Sequence, residues 1–308
     1  MGLRSFSSIE LAVKGCFGED VTVLSRTYVG GGDINDACCL KLSNGRKVFV
    51  KSNTIANHGF FDAECQGLRA IASTHTVLTP GLICIGDDED RGISFLMMEM
   101  IESGRPAPDR WEILGRELAA MHNADTESFV ADKGFGFESD NYIGASKQIN
   151  SRRSTWIDFF RECRLEPQFK MASGYFDKSF TAKIIKFLDK LDDLLSEPSH
   201  PSLLHGDLWS GNIITASSGR MMLIDPAVYV GHAEADLAMT ELFGRLPQAF
   251  YESYRIYADF SDGYEHRRDI YNLYHLLNHL NLFGRSYLRA VEETVNGGLC
   301  TDYTRMKI

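Results

Sequence analysis

The chain contains 308 residues, of which 44% are hydrophobic and 24% are charged, and its formal net charge is −10. This length and composition favour a globular protein with room for two lobes around one cleft. The acidic balance argues against nonspecific binding to nucleic acid or to an anionic membrane surface. No apolar stretch reaches the length of a membrane span, and the N-terminus lacks the apolar core of a signal peptide, so we expect a cytoplasmic protein. We also expect it to be a monomer.

A glycine-rich segment lies between two predicted strands, residues 21–24 and 37–42. Gly30, Gly31 and Gly32 could form a turn tight enough for backbone amides to approach phosphate groups. The segment lacks the G-x-G-x-x-G pattern of protein kinases, and three successive glycines also fit an ordinary hairpin turn. From these residues alone, both interpretations stay open.

The next segment combines a strand pattern with a buried charge. Residues 46–51 alternate as in a half-buried strand, which puts Lys51 on the same face as Phe49. A buried ammonium needs an anionic partner, and Glu64 lies on the inner stripe of a helix predicted over residues 60–71. We therefore predict a Lys51–Glu64 ion pair that directs the ammonium toward nucleotide phosphates. The alternative is that both are exposed surface charges.

An apolar run at residues 93–100 predicts another strand, and residues 101–106 interrupt it with glycine and proline. This pattern fits a hinge between two lobes, although an edge strand that leads into a loop would have the same sequence. We place the lobe boundary here, with residues 1–101 as a nucleotide-binding lobe and residues 102–308 as a catalytic and substrate-binding lobe.

The remainder of the chain is mostly helical by its apolar periodicity. The predicted elements are helices at 111–123, 156–165, 181–195 and 270–283 and a glycine-rich loop at 134–144.

The sequence HGDLWSGN at 205–212 carries the strongest chemical signal. Asp207 and Asn212 have the spacing with which a kinase catalytic loop places the base for the acceptor hydroxyl and a metal-binding amide. Two short apolar strands around a turn at 217–220 predict a hairpin that returns Asp225 to this loop, where its carboxylate could bind Mg²⁺. Either Asp could instead be a turn residue that bonds only nearby backbone, but the joint spacing favours phosphoryl transfer.

Several histidines need separate interpretation. His205 could be a general base, but a role in shaping the loop through backbone hydrogen bonds is favoured. His275 and His279 stand four apart on one predicted helix, without the glutamate or third ligand that a zinc site requires. From the spacing alone, they could lie on the exposed polar face of an amphipathic helix.

HGDLWSGN, IDPAVYVGHAEADLAM and NHLNLFGRSYL together resemble the fructosamine kinase family, also called ketosamine 3-kinases. This family belongs to the aminoglycoside phosphotransferase-like branch of the protein-kinase fold, and the resemblance covers nearly the whole chain. It implies an α+β bilobal protein-kinase-like fold, with a small N-terminal antiparallel-sheet lobe and a larger, mainly helical C-terminal lobe.

The resemblance also implies ATP and Mg²⁺ as cofactors. Adenine would be recognised by the backbone of Glu99, Met100 and Ile101, and the glycine-rich turn would contact phosphate. Asp236 would tie down the catalytic loop from the following helix. The residues implied to lie near the acceptor are Trp209, His232, Glu234 and His279. The resemblance extends through the helix of His275 and His279, which implies that their polar stripe faces the acceptor. Trp209 could equally be a core anchor.

The implied reaction transfers the γ-phosphoryl group of ATP to a sugar hydroxyl, the 3-hydroxyl by resemblance, of a small-molecule or protein-bound ketosamine. The phosphorylated fructosamine or ribulosamine would then break down, which amounts to deglycation. One alternative is a kinase for another alcohol, such as an aminoglycoside or a choline-like acceptor. The other is a nucleotide-binding pseudokinase that acts as an interaction module, although Lys51, Asp207, Asn212 and Asp225 are all present. We expect no nucleic-acid or membrane partner.

Overall fold

The computed structural model describes residues 3–30, 35–258 and 262–300. The strands are β1 Arg4–Phe6, β2 Val23–Tyr28, β3 Asp36–Leu42, β4 Lys47–Thr54, β5 Leu82–Asp88, β6 Ile93–Glu99, β7 Asn141–Ile143, β8 Ser146–Gln148, β9 Ser202–Leu204, β10 Ile213–Thr215, β11 Met221–Leu223 and β12 Tyr229–Gly231. The α-helices are α1 Ile9–Phe17, α2 His58–Ser73, α3 Arg110–His122, α4 Trp156–Phe160, α5 Glu166–Met171, α6 Lys178–Asp189, α7 Leu191–Leu194, α8 Ala233–Leu242, α9 Gln248–Tyr257, α10 Tyr264–Phe283 and α11 Leu288–Cys300. The predicted α+β class is confirmed.

The chain forms two compact units, and it enters the first of them twice. The N-terminal unit comprises Met1–Arg110 and Ile213–Asp225, and the C-terminal unit comprises Trp111–Asn212 and Pro226–Ile308. The second passage through the N-terminal unit is the β10–β11 hairpin, which follows the HGDLWSGN segment directly. The predicted hairpin is therefore present, with Ile213 opposite Leu223.

A six-stranded sheet in the order β1-β5-β6-β4-β3-β2 forms the N-terminal unit. Its neighbours are antiparallel except for β1 and β5, which run parallel, so the antiparallel expectation misses one pair. Helix α1 packs on one face, in a cluster that includes Val48 and Val50, and α2 packs on the other through Phe61 and Leu68. Alternate residues of β4 consequently face two different helices, as the period-two pattern predicts.

Aromatic and aliphatic side chains from several helices build the core of the C-terminal unit around Trp156. The helix predicted over 156–165 is interrupted, because α4 gives way at Arg161–Leu165 to a π-helical turn before α5. The helix predicted over 181–195 divides into α6 and α7. The helix predicted over 270–283 is the C-terminal part of α10, which begins at Tyr264.

The C-terminal unit also contains two short antiparallel strand pairs. Strand β9 pairs with β12, with Leu204 opposite Tyr229, and the chain leaves β9 directly into the HGDLWSGN segment. Strands β7 and β8 form a hairpin with Asn141 opposite Gln148. This hairpin begins inside the segment predicted as a loop at 134–144, since three-residue strands are too short for a periodic signal.

Within the described ranges, no helix has both the length and the apolar character needed to cross a membrane.

Candidate active site

Lys51 and Glu64 form the predicted ion pair. Lys51 lies on β4, and its Nζ is 2.7 Å from Oε1 of Glu64 on α2. Both side chains are about nine-tenths buried, because this face of β4 is the one that α2 covers. The alternative of two exposed surface charges is therefore wrong.

Asp225 joins this pair as a second carboxylate. Its Oδ1 accepts a hydrogen bond from Lys51 Nζ, and 42% of its side chain is exposed. Burial disfavours the charged form of Lys51, but the negative charges of Glu64 and Asp225 outweigh that effect and raise the pKa of Lys51. The ammonium is thus fully charged at neutral pH, and two carboxylates share it.

Backbone contacts on both sides of the β10–β11 hairpin place Asp225 beside Lys51. The Leu223 amide donates to Leu78 O at 2.8 Å, and the Ala107 amide donates to Gly219 O at 3.0 Å. Gly219 takes a positive φ of 81° at the turn. Asp225 itself has a φ of +54°, an uncommon backbone conformation for a residue other than glycine. Such a conformation persists only where the surrounding structure imposes it, and it concentrates at functional sites.

The proposed nucleotide contacts are only partly described. Gly31 and Gly32 lie outside the described residues, and a Cβ atom added at Gly30 would meet nothing within 4 Å. Strand β6 ends at Glu99, whose amide donates to Gly81 O at 2.8 Å. Met100 and Ile101 then continue outside regular secondary structure. Their assignment to nucleotide binding stays a prediction.

Asp207 and Asn212 lie together in the C-terminal unit. A 3₁₀ turn at Ser210–Asn212 brings the amide back, and Asn212 Nδ2 donates to Asp207 O at 2.8 Å and to Asp207 Oδ2 at 3.1 Å. These bonds use the amide nitrogen of Asn212, whereas its oxygen is the atom that could bind a metal ion.

The backbone that carries Asp207 is held by one buried carboxylate on α8. Asp236 Oδ2 accepts from the His205 amide at 2.7 Å, and its Oδ1 accepts from the Gly206 amide at 2.8 Å. His122 Nε2 lies 3.2 Å from Asp236 Oδ2, and His122 Nδ1 lies 2.8 Å from the Tyr254 hydroxyl. Burial alone would raise the pKa of Asp236, but the contact with His122 and the backbone bonds hold it below its ordinary value. Sequence reasoning found Asp236 and missed His122 and Tyr254.

His205 shapes the loop in the manner expected. It is fully buried, and its Nδ1 accepts a hydrogen bond from the Asp207 amide at 3.3 Å.

Trp209 is part of a row of aromatic rings and is not a core anchor, since 37% of it is exposed. It meets Phe243 edge to face at 6.3 Å between centroids, and Phe243 lies 4.6 Å from His279. A Cβ atom at Gly211 would lie 2.3 Å from the Trp209 ring, so a larger residue there would displace the ring. The structure therefore brings Trp209 and His279 into one cluster through Phe243, a residue that the sequence did not single out.

His279 is held in a neutral form. Burial lowers its pKa, and its Nδ1 lies 2.8 Å from the His275 carbonyl one helical turn earlier. Because a carbonyl can only accept, Nδ1 carries the proton and Nε2 retains a lone pair. Within the described ranges, no group of three or more histidine, cysteine, aspartate or glutamate side chains could hold a metal ion.

His232 and Glu234 lie in the interior at the start of α8. His232 caps this helix, because its Nδ1 accepts from the Glu234 amide at 3.2 Å. Arg267 donates to both carboxylate oxygens of Glu234 at 2.7 Å, and Glu234 is only 2% exposed. Burial lowers the pKa of His232 to about 4. This geometry favours support of α8 over the substrate contact expected for these two residues.

The helical unit carries the Asp207–Asn212 pair, and the sheet-rich unit carries Lys51 with its two carboxylates. This arrangement is typical of a phosphotransferase of the protein-kinase type. A family model described as fructosamine kinase matches residues 5–300. The chain belongs to the fructosamine kinase family.

Individual relatives agree with that assignment. A probable ketoamine kinase of Synechocystis sp. is 41% identical over 280 residues, which cover 90% of each chain. A chloroplastic protein-ribulosamine 3-kinase of Arabidopsis thaliana is 40% identical over 90% of this chain and 82% of its own length. Among solved structures, a Haemophilus somnus protein assigned as fructosamine-3-kinase superposes with a TM-score of 0.84 at 26% identity, covering 95% of this chain and 97% of that one.

Proposed function

We propose that this protein transfers the γ-phosphoryl group of ATP to a sugar hydroxyl of a ketosamine, the 3-hydroxyl for a fructosamine or ribulosamine. Family membership and the names of the relatives, a ketoamine kinase and a protein-ribulosamine 3-kinase, support this acceptor class. The observation that carries the proposal is the Asp207–Asn212 pair on a loop whose backbone is held by Asp236.

In this reaction Asp207 orients the acceptor hydroxyl and takes its proton. The hydroxyl oxygen forms a bond to the γ-phosphorus as the bond to the leaving oxygen of ADP breaks. Lys51, oriented by Glu64, steadies the α and β phosphates, since its raised pKa keeps it cationic.

We assign Mg²⁺ binding to Asp225 and Asn212 from the kinase motif. Each offers an oxygen ligand of the kind that Mg²⁺ prefers: Asp225 has a partly exposed carboxylate, and Asn212 has an amide oxygen. When bound, the ion neutralises charge on the nucleotide phosphates.

We assign nucleotide binding to residues 1–101 and catalysis with acceptor binding to residues 102–308. Adenine recognition falls to the backbone of residues 99–101, and phosphate contact to the glycine-rich turn at residues 30–32. On the acceptor side, Trp209 and Phe243 offer apolar ring surface to a sugar. His279 Nε2 can accept a hydrogen bond from a sugar hydroxyl, because the other ring nitrogen holds the proton.

The test is Mg²⁺-dependent ATP consumption with a panel of acceptors: fructosyl-lysine, ribulosyl-lysine, an aminoglycoside and choline. We expect turnover on the ketosamines that falls by at least about 10³-fold in Asp207→Asn, given the size of a lost catalytic base together with lost orientation. Asp193→Asn, an exposed carboxylate in the same unit, is the matched control and should leave turnover unchanged.

Activity confined to the aminoglycoside or choline would overturn the acceptor assignment and keep the phosphotransferase. If the protein binds ATP but turns over none of the acceptors, the proposed reaction is wrong, and the result favours a nucleotide-binding interaction module.

A further inference from the structure

The β7–β8 hairpin carries two buried amide side chains that point to the chain segment after Asp225. Asn141 and Gln148 are 5% and 1% exposed. Gln148 Nε2 donates to Asn141 Oδ1 at 2.7 Å and to Ala227 O at 3.0 Å, while Asn141 Nδ2 donates to Val228 O at 2.7 Å. Two amides thus bind two successive backbone carbonyls, an arrangement that sets the position and direction of that backbone.

The segment they bind is in direct contact with the catalytic loop. The Ala227 amide donates to His205 O at 2.8 Å, which extends the pairing of β12 with β9 by one hydrogen bond. Gly206 has a φ of +80°, and a Cβ atom there would lie 2.0 Å from Ala227 O. The Ala227 carbonyl therefore lies against Gly206, the residue immediately before Asp207, and Gln148 binds that same carbonyl oxygen.

Further contacts orient the hairpin amide. The Tyr274 hydroxyl on α10 donates to Gln148 Oε1 at 2.7 Å, so every polar atom of the Gln148 side chain has a partner. Arg164 Nη2 donates to Asn150 Oδ1 at 2.8 Å, two residues beyond the hairpin, and its guanidinium lies 3.9 Å from the ring centroid of Tyr229 on β12. A glutamine that accepts from one fixed donor and donates to two fixed acceptors cannot flip without losing bonds.

We propose that Gln148, held by Asn141 and Tyr274, is a positioning residue for phosphoryl transfer. It fixes the Ala227 carbonyl against Gly206 and thereby the backbone from which Asp207 projects. Asp236 accepts hydrogen bonds from two backbone amides of the same loop, those of His205 and Gly206. The loop backbone is therefore held both by Asp236 and by the Ala227 carbonyl. The inference rests on the proposed function, because it assigns a consequence to the placement of Asp207. Displacement of a catalytic group by about 1 Å can cost on the order of 100-fold in rate.

The test is Gln148→Met in the full-length protein, which keeps the side-chain length and removes all three hydrogen bonds. The matched control is Gln168→Met, an equally buried glutamine of the same unit that bonds Asn278 and Asn281 on α10. We expect kcat on the ketosamine to fall about 10- to 100-fold in Gln148→Met, with the KM for ATP within about threefold of the parent protein. Gln168→Met should keep kcat while losing comparable thermal stability.

Tyr274→Phe serves as a milder second variant, since it removes one hydroxyl and leaves the amide in place. Its control is Tyr264→Phe, which removes the buried hydroxyl that donates to Glu241 at 2.9 Å. We expect kcat to fall in Tyr274→Phe and to stay unchanged in Tyr264→Phe. Circular dichroism and melting temperature, measured on every variant, ensure that turnover is compared between folded proteins; if Gln148→Met does not fold, the tyrosine pair alone decides the outcome.

The two proposals fail differently. If the unsubstituted protein does not phosphorylate a ketosamine, the proposed function is wrong, and the positioning role is then read on whichever acceptor is turned over. If the unsubstituted protein is active and folded Gln148→Met and Tyr274→Phe keep kcat, the positioning role alone is wrong. An equal fall of kcat in the two glutamine variants would also overturn it, because the effect would then follow from general destabilisation.

Discussion

The two parts of the candidate site are held by different forces. Around Lys51, one largely buried ammonium attracts two carboxylates, the buried one of Glu64 and the partly exposed one of Asp225. Around Asp207, the loop is held by hydrogen bonds between neutral backbone groups and the side chains of Asp236, Asn212 and His205. The difference agrees with the proposed roles, because a nucleotide needs charge that neutralises phosphates, whereas an acceptor hydroxyl needs a base in a fixed place.

The largest effect is expected when the charged cluster around Lys51 loses its ammonium. Lys51→Met leaves Glu64 buried without its cation, and removal of one partner of a buried pair costs about 3–5 kcal/mol of the free energy of unfolding. ATP turnover should also fall, because the proposed contact of Lys51 with the nucleotide phosphates is lost. Lys47→Met is the matched control on the same strand, because Lys47 pairs with Glu102 in an exposed bridge whose loss should have no measurable consequence. Denaturant unfolding and ATP kinetics measure both effects, and equal losses in the two variants would contradict this account.

A smaller effect is expected when the backbone of the loop that carries Asp207 is loosened. Asp236→Asn replaces one oxygen acceptor with an amide nitrogen that faces donors, at a cost of about 1.5–3 kcal/mol. We expect kcat to fall at least about 10-fold with little change in the KM for ATP. Asp177→Asn is the control, since Asp177 also accepts a backbone amide, that of Phe180, as the cap of α6. A change confined to the KM for ATP would show that Asp236 acts elsewhere than on the loop.

The smallest effect concerns the pH dependence of stability and two buried histidines of the C-terminal unit. Burial lowers the pKa of His232 to about 4, below its ordinary value near 6.5, and lowers that of His275 to about 3. In this pH range the unfolded chain therefore binds more protons than the folded chain does. The free energy of unfolding consequently decreases as the pH falls from about 6.5 toward 4. Each such histidine contributes at most about 1.4 kcal/mol per pH unit in this window.

His232→Asn keeps an acceptor at the cap of α8 and removes the titrating ring. The acid-induced loss of stability between pH 6.5 and 4 should become shallower in this variant, as measured by urea unfolding. The exposed His200→Asn is the control and should follow the unsubstituted protein. An unchanged slope in His232→Asn would mean that His232 titrates normally in the folded state.

The Lys51 region follows from local patterns to a large extent. Period-two alternation placed Lys51 and Phe49 on one face, helical spacing placed Glu64 on the inner stripe, and the cost of a buried charge required that they pair. Turn residues at 217–220 indicated the hairpin that brings Asp225 to Lys51. These steps need only the preferences of short segments and one electrostatic rule.

The supports of the catalytic loop do not follow from such patterns. Asp236 was expected only because of a family resemblance, and its partner His122 lies 114 residues away in the chain. Gln148 lies 79 residues from Ala227, and it stands in a hairpin too short to show a periodic signal. Glu234 and His232 formed a distinctive motif, but their burial beside Arg267 decides what that motif does.

By itself the sequence determined the family, the α+β class, the residues proposed for phosphoryl transfer and the lysine–glutamate pair. Those properties reside in motif spacing and in the periodicity of single elements, which local physical chemistry dictates. Only the tertiary structure decided that Trp209 packs against Phe243 and that Glu234 pairs with Arg267. It also decided that Gln148 binds the Ala227 carbonyl, which lies against the catalytic loop proposed here. These outcomes depend on which distant polar groups become buried together, because each of them must then find a partner.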